Sequence, residues 1–131
     1  MNILRPVDIE DVVRLALTDY LNVFCRPLPE KFLTPCLLVS ATGGTSKDTI
    51  DSFNVSLSAR AETDAESYEY LRTAIGILEE QARQQVGALR SVNINSIGQW
   101  GSDPVRPDLK LSTATVIVTA HREKITIPIE S

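Results

Sequence analysis

The first apolar pattern along the chain has the period of a helix. Ile9, Val12, Val13, Ala16, Leu17, Tyr20 and Leu21 fall on one side of a 3.6-residue repeat. Asp8 offers an oxygen to the free N–H groups at the start, and Glu10 and Asp11 place negative charge where the helix dipole favours it. The spacing predicts a first helix over residues 8–22. Pro27, Pro29 and Pro35 then exclude a helix or a central strand, so residues 26–35 read as an extended connector. The apolar run 36–41 reads as a buried strand. Residues 42–49 are polar and carry two glycines, and they read as a loop. Phe53, Val55, Leu57, Ala59 and Ala61 alternate strictly with polar residues, which is the period of a strand with one buried face. The two strands are expected to form a hairpin with a projecting tip.

Thr63-Asp-Ala-Glu66 has the spacing of a capping box. A second helix is expected from there to about Val86, with Tyr68, Leu71, Ile75, Leu78, Ala82 and Val86 as its stripe and Gly87 as its stop. Val92 and Ile94 mark a third strand over 89–97. Residues 98–108 hold two glycines and two prolines and read as a long loop. A fourth strand spans 109–121. Leu109 and Leu111 are out of phase with Ala114, Val116, Val118 and Ala120, which predicts a bulge or a late start near Ser112. The tail 124–131 alternates Ile125, Ile127 and Ile129, and it fits either a last strand of its own sheet or a strand added to a neighbour's edge. The order is α-β-β-α-β-β. It implies an α+β fold: a four-stranded, mostly antiparallel sheet with two helices packed on one face. All 131 residues form one domain, with a core at about 7–122 and a tail at 123–131.

Composition narrows the chemistry. Thirteen Lys/Arg against 17 Asp/Glu give a net charge of −4, and no segment is rich in basic residues. A general electrostatic grip on nucleic acid is therefore a poor expectation. Two cysteines and one histidine, far apart in sequence, do not make a structural zinc site. The start of the chain lacks a signal-peptide pattern, and no apolar run approaches the roughly 18 residues of a membrane span. A reduced, soluble, cytoplasmic chain is the expectation.

Gly43-Gly-Thr-Ser-Lys47 resembles a phosphate loop only superficially, because its Lys follows Ser46 and a strand follows the loop. Cys25, Cys36 and His121 are the candidate nucleophiles and base. Cys25 follows a helix C-terminus and Cys36 sits in an apolar run, and neither place activates a thiol. Neighbouring carboxylates, such as Glu79 and Glu80, point to different sides of a helix. No catalytic residue, metal ligand or cofactor site is expected. Trp100, on the glycine-bearing loop with Arg106, reads either as a lid on the core or as a contact residue.

The layout resembles the tail terminator (tail completion) proteins of long-tailed bacteriophages, a family that includes prophage minor tail proteins. An amphipathic helix opens the chain, and a Pro-containing connector leads to an apolar strand and a Gly/Asp loop (35–51). Phe53-Asn-Val-Ser-Leu-Ser-Ala-Arg-Ala-Glu-Thr-Asp-Ala-Glu66 runs a strand straight into a capped helix. Arg106-Pro-Asp108 precedes a long last strand ending at Arg122. The resemblance covers about residues 7–122. It implies a virion protein of the head-proximal tail end, not an enzyme. Such a protein forms a ring, commonly a hexamer, on the last ring of the tail tube protein. It stops tail polymerisation and offers a joining surface to the head connector, or neck, protein. DNA would pass through the lumen without specific binding. The resemblance places Gly43, Gly44, Thr45 and Lys47 at the tail tube or the lumen, Trp100, Arg106 and Asp108 at a subunit interface, and Ile125 and Ile127 against a neighbour. Two alternatives stand beside it. One is a head–tail neck protein. The other is a small ligand-binding or enzymatic α+β domain with Tyr20, Cys36 or His121 lining a cavity.

Overall fold

The structure is a computed structural model. It describes residues 1–47 and 50–129, and of Gln99 and Trp100 it describes the backbone only. The elements run β1 (Asn2–Arg5), α1 (Ile9–Leu17), β2 (Val23–Cys25), β3 (Cys36–Lys47), β4 (Ile50–Ala61), α2 (Asp64–Arg83), β5 (Leu89–Ser102), β6 (Lys110–His121) and β7 (Glu123–Thr126). The expected four-stranded sheet is corrected to a five-stranded one, in the order β2-β3-β4-β6-β5, plus a separate two-stranded ribbon of β1 and β7. The extra strand, β2, pairs parallel to β3, while every other pair is antiparallel. A parallel neighbour needs a crossover, and the proline connector 26–35 is that crossover.

Both helices contribute to one core against the sheet. In α1 the Asp8 carboxylate accepts from the Asp11 N–H, and Ile9, Val13, Ala16 and Leu17 are buried. The helix stops at Leu17 rather than running to Asn22. There the chain turns to feed β2, held by the Asn22 N–H donating to the Tyr70 hydroxyl at 2.5 Å and by Asn22 Nδ2 donating to the Leu33 carbonyl at 3.0 Å. In α2 the Thr63 hydroxyl accepts from the Glu66 N–H at 3.1 Å. Leu71, Ala74, Ile75, Leu78 and Ala82 are buried. This helix ends at Arg83, and Gln85, ahead of Gly87, is the first residue with a positive φ. Leu37, Val39, Val55, Leu57, Val116 and Val118 complete the core from the sheet side, all fully buried. Each such side chain contributes about 1.5–3 kcal/mol.

The out-of-phase reading of β6 is also corrected. Its register against β4 is unbroken from Lys110 to His121. Ser112 faces the helices and is buried because its hydroxyl meets that of Ser67 on α2 at 2.7 Å. The irregularities sit elsewhere, at one point on β3 and at three on β5.

Candidate functional site

Both segments read as loops are strands for much of their length. Gly43, Gly44, Thr45 and Lys47 pair with Asn54, Phe53, Ser52 and Ile50, so they belong to β3 rather than to the loop at the hairpin tip. A Cβ on Gly44 would stand 2.1 Å from the Ser52 carbonyl oxygen, and backbone at that distance cannot give way. Gly43 has φ +135°, just past the irregularity after Ala41. In the other segment, Gly98 to Ser102 continue β5 against β6. Polar and glycine-rich sequence concealed both extensions. What holds them is pairing with β4 and β6, which are apolar enough to be fixed independently.

The result is a sheet with two unlike open edges. On the β3 side, β2 covers only Leu37, Leu38 and Val39. The next position is closed by side chains. Glu10 Oε2 accepts from the Ala41 N–H at 3.0 Å and from Arg26 Nη2 at 2.6 Å, and Arg26 Nη2 also reaches the Ala41 carbonyl at 3.3 Å. Burial opposes the Glu10 charge, but the Arg26 and Ala41 bonds outweigh it and hold the carboxyl below its ordinary pKa. Beyond Ala41, no described strand lies outside Gly43–Lys47. On the opposite side, β5 has no described outer neighbour along its whole length. From Ser91 to Ser102 it carries no charged residue and no proline, and Ile94 and Ile97 are exposed. Proteins usually protect such an edge with charge, proline or bulges. Here only the bulges are present.

The turn joining β5 to β6 is tied down by Asp103. Its carboxylate accepts from the Val105 N–H at 3.0 Å and from Arg60 Nε at 2.7 Å. Arg106 Nη2 pairs with Asp108 at 2.9 Å, and its guanidinium lies 5.7 Å from the centre of the Phe32 ring. Arg106 and Asp108 thus stand together and exposed on this turn. The side chain of Trp100 lies outside the described residues. Ile125 pairs with Ile3 of β1 in the same chain, and the Ile127 N–H donates to the Met1 carbonyl at 2.7 Å. The two isoleucines therefore have a partner strand within the chain.

The residues proposed for chemistry are not brought together. Cys36 is opposite Arg60, which is opposite Leu111. His121 ends the same strand ten residues on, roughly 33 Å away at strand rise. His121 is exposed beside Arg90. Burial raises the pKa of both Cys25 and Cys36, away from thiolate reactivity. Tyr20 lines a cleft of about 220 Å³ with Leu15, Val86 and Ala88, and neither Cys36 nor His121 is among its lining residues. Among the described residues, no group of His, Cys, Asp and Glu could hold a metal ion, and no helix is long and apolar enough to cross a membrane.

Sequence reading missed Asp103, Arg60, Asp51 and Arg122. Asp51 is buried, accepts from Arg122 on both oxygens at 3.1 Å, and is held below its ordinary pKa by Arg122 and Ser46. The only local signal was Asp103-Pro104, a turn-initiating pair. No protein-family model and no curated protein sequence matches the chain.

Proposed function

We propose that this chain is a ring-forming structural subunit: a phage tail terminator that caps the tail tube, stops its growth and presents the joining surface to the head. The observation that carries this reading is the pair of unlike open edges. A ring needs a heterologous interface, two different patches per subunit that meet between copies and close on themselves. The uncharged edge of β5 and the free distal edge of β3 are two such patches on opposite sides of one sheet. Main-chain pairing supplies affinity at an edge, and alternate side chains supply register. The resemblance in layout, from the opening helix to the long last strand at Arg122, supplies the biological setting.

Light scattering on a size-exclusion column, over a concentration series and with and without the cognate tail tube protein, tests it. A closed ring near six subunits, alone or only on the tube, is the expected result. A chain that stays monomeric at high concentration and ignores the tube overturns the reading. Ile94→Lys with Ile97→Lys places charge on the β5 edge and should abolish the ring without lowering the melting temperature of the monomer.

A further inference from the structure

Three segments meet where β4 runs out. Arg60, the last residue but one of that strand, is opposite Cys36 on one side and Leu111 on the other. The first pairing brings up the proline connector that leads into Cys36. The second brings up the turn before β6, which the Asp103 N–H closes by donating to the Leu109 carbonyl at 3.0 Å. Between connector, strand end and turn lies a pocket of about 300 Å³. Leu28, Pro29 and Phe32 of the connector and Val105 of the turn are its apolar walls, and Arg60, Asp103, Arg106 and Glu30 are its charged groups. A mostly apolar lining with a few placed polar groups is the usual make-up of a binding pocket.

The polar groups are one partner short. Asp103 is satisfied by Arg60 and by the Val105 N–H. Arg106 is paired with Asp108, and its guanidinium lies over the Phe32 ring. Arg60 spends Nε on Asp103, but its Nη1 is buried with no partner among the described residues. A buried donor left unpaired costs free energy, and more so on a charged group. The pocket therefore lacks an acceptor. It does not lack negative charge, because Asp103 and Glu30 match Arg60 and Arg106 within the lining. A second carboxylate brought to Arg60 would stand beside that of Asp103, already 2.7 Å from Nε, and like charges at short range repel. An uncharged carbonyl oxygen supplies the acceptor without that cost.

The walls indicate what carries the carbonyl. Leu28 and Phe32 are half-buried and Val105 is 86% exposed, so apolar surface borders the unpaired donor. A peptide offers an apolar side chain and a main-chain carbonyl a fixed distance apart. We infer that this pocket binds an uncharged, extended segment of a partner protein, which sets an apolar side chain among Leu28, Phe32 and Val105 and directs a main-chain carbonyl to the Arg60 guanidinium. A second copy of the chain is not the occupant. The free edge of β3 pairs at Lys47 with Ile50, ten residues along β4 from Arg60, roughly 33 Å at strand rise, so joining copies through that edge leaves the pocket open. Binding here does not require the ring.

Amide NMR of the isotope-labelled full chain, titrated with three capped tripeptides, tests it. Acetyl-Gly-Leu-Gly-amide should give saturable shifts at the Phe32, Val105 and Arg106 amides and at the Arg60 Nε–H, with a millimolar Kd. Acetyl-Gly-Gly-Gly-amide, without the apolar side chain, and acetyl-Gly-Glu-Gly-amide, with a charge, should each bind at least about tenfold more weakly. Arg60→Lys keeps a cation for Asp103 and removes the fork, and it should weaken the leucine peptide about tenfold, the worth of one hydrogen bond to a charged group. Leu28→Ser, on the connector, should also weaken it and serves if Arg60→Lys fails to fold. Tyr20→Ala, in the other cleft, should change nothing. No saturable shift with any peptide means that water alone fills the pocket and overturns the proposal. Binding of the glutamate peptide as tight as that of the leucine peptide overturns the uncharged assignment, and unchanged affinity in Arg60→Lys overturns the role of Arg60. If the leucine peptide breaks up self-association of the chain, the occupant is another copy and the assignment to a partner protein falls.

Discussion

Two arginine–aspartate pairs close opposite ends of the sheet, and they do different work. In both, the aspartate side chain is almost wholly buried, at 4% exposed for Asp103 and 5% for Asp51. The arginines differ. Arg60 is 12% exposed and Arg122 is 26%. Asp103 divides its oxygens between Arg60 and the backbone of the turn that follows it, so it fixes main chain. Asp51 spends both oxygens on Arg122, which also donates to the Ser46 hydroxyl at 2.7 Å, so it fixes a side chain. Arg60 Nη1 is buried with no hydrogen-bond partner among the described residues, and its guanidinium therefore depends on Asp103 all the more. The same chemistry is structural at one end and local at the other.

The largest expected effect breaks the first pair. Asp103→Ala leaves a largely buried guanidinium without its counter-ion and strips the Val105 N–H of its acceptor. Removing one partner of a buried pair costs about 3–5 kcal/mol, and equilibrium urea unfolding should show a loss of that size. A loss below 1 kcal/mol would mean that water reaches Arg60 freely. Asp51→Ala should cost less, about 2 kcal/mol, within the range for hydrogen bonds to a charged group. Arg122 is exposed enough to turn toward solvent. If the two losses came out equal, arginine exposure would not be what separates the pairs.

This contrast also shows what could be read from the chain. Helix α2 was legible because Thr63 and Glu66 announce its start and five apolar positions from Tyr68 to Ala82 hold its period, whereas Val86, the sixth position of the expected stripe, lies beyond its end and is exposed. Strand β4 was legible because its alternation is unbroken from Phe53 to Ala61. Local sequence carries such elements. Strand β2 was not legible, because three residues, Val23 to Cys25, become a strand only where β3 offers an edge. The strand at Gly98–Ser102 was hidden for the same reason. Glycine and serine have little strand preference of their own, and β6 imposes the conformation from across the sheet. Ser112 misled because its hydroxyl is satisfied by Ser67, 45 residues away. The open edges follow from strand order, which no local pattern encodes. Asp103 and Asp51 were invisible as buried groups because their arginine partners lie 43 and 71 residues distant.

Acid sharpens the comparison next. Both aspartates titrate below their ordinary range. Arg122 and then Ser46 lower Asp51. For Asp103, burial pushes up, but the Val105 N–H and Arg60 outweigh it. A carboxylate whose folded pKa is depressed adds stability that is complete above its unfolded value, about 3.9. That stability is lost as pH falls through the lower folded value. Stability should therefore decline from about pH 4 downward. Because each variant removes one such carboxylate, the decline should be shallower in Asp51→Ala and in Asp103→Ala, and shallowest in the double variant. Urea midpoints at pH 6, 4 and 3 would show it. Parallel curves for all four proteins would place the acid sensitivity elsewhere.

The smallest effect belongs to a third pair, which serves as the baseline. Arg5 and Glu123 join β1 to β7 across the terminal ribbon, with side chains 54% and 41% exposed. Water competes for both groups, and an exposed pair of this kind contributes about 0.2–1 kcal/mol. The ribbon has other ties: the four-residue register of β1 against β7, the Thr126 hydroxyl on Asn2 at 2.7 Å, and the terminal ammonium on the Ile127 carbonyl at 2.8 Å. Glu123→Ala should thus shift the urea midpoint barely beyond error. In 0.5 M salt even that shift should fade, because exposed charges are screened and buried ones much less so. Asp103→Ala should keep its full cost in the same salt. A salt-resistant loss at Glu123 would mean that a second surface shields the ribbon from solvent.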